Sequence, residues 1–183
     1  VRLFIAVDVE DPVILSRLES VRDAVMARGG RFKPVEAQNM HFTLRFLGEV
    51  DERLVDEIYE AMRKVRFNAF KARLKGLGAF PSLSRPRVIW VGVEEGYEEL
   101  RDIRIQLDSG LRRMGFKPEK EEFVPHVTLL RVKSRIPPGT ARILAEYSDY
   151  DFGVMEVRSI RLKQSILTPR GPIYRTLREV EAA

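Results

Sequence analysis

His41-Phe42-Thr43-Leu44 and His126-Val127-Thr128-Leu129 are two copies of one signature, His-x-Thr-Leu, and they hold the only two histidines of the chain. Each opens an apolar run, His41 to Leu47 and His126 to Val132, that reads as a β-strand. Successive side chains on a strand alternate faces. Histidine and threonine therefore point one way, while Phe42 and Leu44, or Val127 and Leu129, point into a core. Each copy offers one imidazole and one hydroxyl on a shared face. Two such pairs facing each other supply a base, an acid and two hydrogen-bond donors around one small anion, which suits a phosphate ester.

Outward from the signatures runs a longer repeat. Arg2 to Asp8 reads as a buried strand, followed by Asp11 as N-cap and Pro12 as first residue of a helix that Gly29-Gly30 stops. Phe32-Lys33-Pro34 precedes the first histidine strand, which Gly48 is expected to break. Asp51 can cap a second helix through Val65, and Phe70 to Phe80 reads as a strand with glycine irregularities at Gly76 and Gly78. A loop of Pro, Ser and Arg from Pro81 to Arg87 leads into a strand from Val88 to Val93.

There the order restarts. A helix from Tyr97 to Met114 leads to Phe116-Lys117-Pro118 and the His126 strand. A weaker helix from Pro138 to Tyr147 follows, then a strand or strand pair from Phe152 to Leu167. A loop from Thr168 to Pro172 and a strand from Ile173 to Val180 close the chain. The strand from Val88 both ends the first unit and starts the second, so units 1–93 and 88–183 are expected to interlock as one bilobal domain. A pseudo-two-fold arrangement of the units would bring the histidine strands face to face.

Composition narrows the classes. At 183 residues, 44% apolar and 32% charged, the chain has enough apolar mass for a core and does not resemble a disordered polyelectrolyte. No stretch approaches the ~20 apolar residues of a membrane span, and the run Leu3 to Val7 is too short for a signal-peptide core. Absence of cysteine removes disulfides, thiolate nucleophiles and thiolate metal sites together. A soluble, cytoplasmic monomer is expected. The net charge of +5 favours a polyanionic partner, provided that the cations gather near the histidines.

The chemistry follows by comparison with other histidine uses. Neither signature is His-x-His or His-Glu-x-x-His, and no Walker loop, Gly-x-Gly-x-x-Gly or Gly-x-Ser-x-Gly elbow occurs. No metal and no cofactor are expected. Imidazole titrates near neutrality, so the economical mechanism is paired acid–base catalysis, each proton transfer contributing about 10²–10⁴-fold. Thr43 and Thr128 would donate to phosphate oxygens, although threonine is also simply a good strand former. Arg45 continues the face of His41 and Thr43 on a regular strand. Arg131 sits one position later in its copy and reaches that face only through a bulge or a local twist.

These residues resemble the two-histidine phosphoesterase superfamily and, more closely, the RNA 2′,3′-cyclic phosphodiesterases historically called 2′-5′ RNA ligases. The resemblance also covers Leu3 to Val7, Asn39 to Gly48, Pro86 to Trp90 and Pro125 to Leu129. It implies an α+β fold, with two antiparallel sheets lining a central cleft and helices outside. It implies hydrolysis of a cyclic phosphate RNA end, tRNA fragments included, with some reverse 2′-5′ joining. His41 falls on the proton-donor position, His126 on the proton-acceptor position, and Thr43 and Thr128 on the phosphate-binding positions. Two other readings stay open: a binding module without catalysis, and an enzyme for a small nucleotide such as ADP-ribose 1″,2″-cyclic phosphate.

For RNA contact the candidates are Arg45, Phe80, Arg85, Arg87, Trp90 and Arg131. The apolar surroundings of Trp90 and Phe80 favour core packing, most of all for Trp90, whereas loop position favours a functional role for Arg85 and Arg87. Lys33 and Lys117 recur in the repeat, but a packed Phe-Pro turn carrying an exposed lysine explains them equally well.

Overall fold

The computed structural model describes residues 1–183. Its strands are β1 (Arg2–Asp8), β2 (Phe32–Pro34), β3 (His41–Glu49), β4 (Phe70–Phe80), β5 (Val88–Val93), β6 (His126–Val132), β7 (Asp151–Val157), β8 (Ser159–Thr168) and β9 (Gly171–Glu181). Its helices are α1 (Pro12–Met26), α2 (Val55–Arg63), α3 (Tyr97–Arg113) and α4 (Pro138–Glu146). Asp11 caps α1 as expected, its carboxylate accepting from the backbone N–H groups of Val13 and Ile14. Asp51 instead caps a short 3₁₀ turn, Glu52–Leu54, and α2 starts after it. Gly48 does not break β3 but continues the pairing at φ +73°, opposite Leu3.

All strand pairs are antiparallel, in the order β7-β4-β5-β6-β3-β1-β8-β9, with β2 added on β6. The stretch from Phe152 to Leu167 is a strand pair whose members part at Arg158. β7 joins β4 at one edge of the order, and β8 joins β1 in the other half. Two four-stranded halves thus meet at β3 and β6, with swapped contributions: β4 of the first unit extends the second half, and β8 and β9 of the second unit extend the first. The two sheets of the expected α+β fold are continuous through one residue pair, Phe42 with Val127.

Helices follow the same exchange. α1 packs on β6 and β7, and α4 on α1 and β4; α3 packs on β3, and α2 on α3 and β9. Alternation directs Phe42, Leu44, Val127 and Leu129 into a single apolar cluster of 35 buried residues drawn from both units. The opposite face of the sheet is left for the histidines. No helix is long and apolar enough to cross a membrane.

Candidate active site

The Phe42–Val127 pair sets the site. Carrying that antiparallel register one residue either way puts His41 across from Thr128 and Thr43 across from His126. His41 and His126 are then diagonal neighbours on one face, a relation that spans about 7–8 Å. The two pairs of imidazole and hydroxyl thus share one face at the junction of the two halves.

Both signature leucines are bulged. On β1–β3, Ile5 faces Arg45 and Ala6 faces Thr43, which leaves Leu44 as the extra residue. On β5–β6, Ile89 faces Leu130 and Trp90 faces Thr128, which leaves Leu129 as the extra residue. A bulge flips everything beyond it to the other face. Arg131 and Phe46 therefore stand on the histidine face, whereas Leu130 and Arg45 turn inward. The freed carbonyls are satisfied: Arg104 Nη1 donates to Leu44 O (3.0 Å), and Val35 N donates to Leu129 O (2.9 Å).

Arg45 thus departs from the expected placement beside His41 and Thr43. It is 4% exposed, ion-pairs with Asp108 (2.8 Å) and Glu119 (3.2 Å), and donates to Lys117 O. Glu119 also accepts from Phe46 N (2.8 Å), so this cluster fastens the loop after Phe116-Lys117-Pro118 to the outer edge of β3. In the other half, β2, the first Phe-Lys-Pro copy, covers the edge of β6 by direct strand pairing. Arg45→Met is expected to lower stability by about 3 kcal/mol, the low end for a broken buried pair because both carboxylates keep some contact with water. Denaturant titration measures it.

Each ring is oriented by the same device. His41 Nδ1 donates to Asn39 O (2.7 Å) and His126 Nδ1 to Val124 O (2.6 Å), in both cases the carbonyl two residues upstream. This fixes the tautomer, so in both rings Nε2 is the basic nitrogen. His41 Nε2 accepts from the Thr43 hydroxyl at 3.1 Å. Burial pushes both imidazoles below their ordinary pKa, and the carbonyl hydrogen bonds partly oppose it.

The surroundings then differ. Asp8, directly opposite His41 on β1, favours its protonated form, while Lys163 and His126 oppose protonation. The Asp8 carboxylate is held by Arg161 (2.8 Å) and by Lys163 (2.8 Å), which also reaches the Thr176 hydroxyl (2.9 Å). Near His126 the charged neighbour is Arg131, which disfavours protonation.

Aromatic rings flank both histidines. Phe4 and Tyr174 lie 5.0 and 5.2 Å from the His41 ring; Phe80 and Trp90 lie 5.1 and 5.6 Å from the His126 ring. Trp90 is half-buried and lies over Gly78, where a Cβ would come within 2.3 Å of the indole. Glycine at 78 is what lets the indole lie beside His126, in place of the core packing that its apolar neighbours favour. Phe80 is 37% exposed. Arg85 and Arg87 are exposed on the β4–β5 loop, Arg87 moored to the sheet by its backbone to Phe80 and Val132.

Asp8, Lys163 and Tyr174 carried no sequence signal. Asp8 is 153 to 155 residues from the cations that hold it, so only the β1–β8 register assembles that cluster.

A duplicated α+β fold that sets two imidazoles across a single strand pair defines a two-histidine class of protein. The chain belongs to the LigT like phosphoesterase family, whose pattern matches twice, over residues 9–90 and 91–174. It is 52% identical over 171 residues to an Aeropyrum pernix protein named RNA 2′,3′-cyclic phosphodiesterase, covering 93% of this chain and 97% of that one. An Archaeoglobus fulgidus protein of the same name is 46% identical over 98% of this chain and 99% of its own. Among solved structures, a Thermus thermophilus protein superposes at TM-score 0.82 with 29% identity, covering 99% of this chain and 97% of that one. Escherichia coli LigT in complex with 3′-AMP superposes at 0.78 with 28% identity and the same coverage of each chain.

Proposed function

We propose that this chain hydrolyses the 2′,3′-cyclic phosphate at an RNA end to a 2′-phosphomonoester by paired imidazole catalysis. The observation that carries this reading is the Phe42–Val127 pair, whose register makes two tautomer-fixed imidazoles diagonal neighbours on one face. The relatives named for this activity support it. So does the 3′-AMP complex of a structural neighbour, a nucleoside monophosphate on the same fold.

Neutral His126 takes a proton from water as its oxygen attacks phosphorus. The bond from phosphorus to O3′ breaks, and protonated His41 gives its proton to that oxygen. The products are a 2′-phosphomonoester and a free 3′-hydroxyl, and exchange with solvent resets both rings. Local charge supports this order: Asp8 favours the protonated form of His41, and Arg131 favours the neutral form of His126. Thr43 and Thr128 donate to the non-bridging oxygens as charge builds there. Phe80 and Trp90 offer faces for a splayed base, and Arg85, Arg87 and Arg131 offer charge to the RNA backbone. A 5′-hydroxyl in place of water gives a 2′-5′ linkage by the same steps.

The direct test is incubation of an RNA ending in a cyclic phosphate, with and without EDTA. The expected product is the 2′-monoester, at equal rate in chelator; tight binding with no product defeats the reading.

The pH profile of kcat/KM is expected to be bell-shaped. Activity rises with pH as His126 loses its proton and falls as His41 loses its own. Asp8→Asn removes the charge that favours protonated His41 and leaves Lys163 and Arg161 uncompensated, so the alkaline limb moves to lower pH. Arg131→Gln relieves His126, so the acid limb moves to higher pH. Two variants that shift the same limb, or neither, contradict the assigned roles.

A further inference from the structure

We infer that Lys33 and Arg131 form a second phosphate subsite one nucleotide away from the histidine pair, so that RNA with a phosphodiester next to its cyclic end is preferred over a lone cyclic nucleotide. The inference rests on the cyclic-phosphate reading above and adds Lys33 to it.

Lys33 on β2 is directly opposite Arg131 on β6. Directly opposed residues share a face, with Cβ atoms about 4.5–5.5 Å apart. The Leu129 bulge turns that face to the histidine side, where Val88 flanks Arg131 from β5 and Trp90 flanks Thr128. Two steps of strand, about 7 Å, separate the Thr128 row from the Arg131 row. That matches one step between successive phosphates of an extended nucleic-acid strand.

Two cations set face to face destabilise a sheet, and no acid offsets them. Carboxylates engage Arg45, Arg104, Arg161 and Lys163, whereas Lys33 and Arg131 are exposed and outside the chain's ion pairs. An anion supplied from outside resolves the repulsion. The ammonium end of Lys33 lies against the β8–β9 turn, 3.9 Å from where a Cβ on Gly171 would stand, and Asn39 Nδ2 donates to Pro172 O in the same turn (3.2 Å). The charge of Arg131 acts on both His126 and Tyr174, which puts this end of the subsite near the rings.

The test compares kcat/KM for cytidine 2′,3′-cyclic phosphate with that for the dinucleotide CpC bearing a 2′,3′-cyclic end, in the unmodified chain and in Lys33→Gln and Lys33→Arg. The unmodified chain is expected to favour the dinucleotide by about tenfold, the effect of one charge-assisted contact. Lys33→Gln is expected to bring the ratio close to one and to lower the salt dependence of log(kcat/KM) by about 0.7 for the dinucleotide. Lys33→Arg is expected to restore both. A ratio near one in the unmodified chain, or a ratio that Lys33→Gln leaves intact, overturns the subsite while the cyclic phosphodiesterase reading stands. Hydrolysis of neither substrate overturns both.

Discussion

His126→Ala is expected to lower turnover of a cyclic-phosphate RNA end by about 10²–10⁴-fold, and His41→Ala by a similar factor. Each ring presents a single basic nitrogen, because Nδ1 is committed to the carbonyl of Asn39 or Val124. No second imidazole stands behind either one, since these are the only two in the chain. The proposed roles can be separated by the leaving group. A 4-nitrophenyl phosphodiester departs without a proton, so His41→Ala should retain most activity on it, whereas His126→Ala should remain slow on both substrates. The order of loss is the diagnostic. If His126→Ala is the variant rescued by the activated ester, acid and base are exchanged; if either variant keeps the unmodified rate on RNA, the paired mechanism is wrong.

The same residues show what a single sequence can carry. The histidines were legible because the motif occurs twice and because period-two alternation decides which face each residue takes, a local property of one strand. Phe42 and Val127 were legible as core residues for the same reason. The bulges were not, since a bulge belongs to two strands at once: the extra residue in β3 exists only relative to β1. Alternation alone therefore placed Arg45 on the cleft face, when the bulge at Leu44 sends it to Asp108 and Glu119. For Arg131 the spacing from its histidine is one residue longer than for Arg45, so only an irregularity could bring it to the cleft, and the bulge at Leu129 supplies it.

Packing partners distant in sequence were equally hidden. Trp90 reads as core because its neighbours are apolar, yet the indole finds its place through Gly78 on another strand. The strand pair after Phe152 was visible as length and apolar content. Its separation onto β4 and β1 depends on which halves exchange strands, and that choice is made only in the assembled sheet.

Substituting the two threonines gives the second large effect. Thr128→Val is expected to cost about 10²–10³ in kcat, the loss typical of one donor aimed at developing phosphoryl charge. Valine matches threonine in shape and strand propensity, so the fold gives no competing reason for the loss, and Thr128→Ser is expected to recover most of it. Thr43→Val should cost a comparable factor. Its hydroxyl stands 3.1 Å from His41 Nε2 and must turn from that nitrogen to the phosphate when substrate binds. Thr43 and Thr128 belong to paired strands, each two residues after its own histidine, so in the proposed mechanism each serves a different oxygen. The double variant should accordingly fall well below either single one. A rise in KM with kcat unchanged would assign the hydroxyls to ground-state binding alone. Unmodified turnover in either valine variant would remove that threonine from the chemistry altogether.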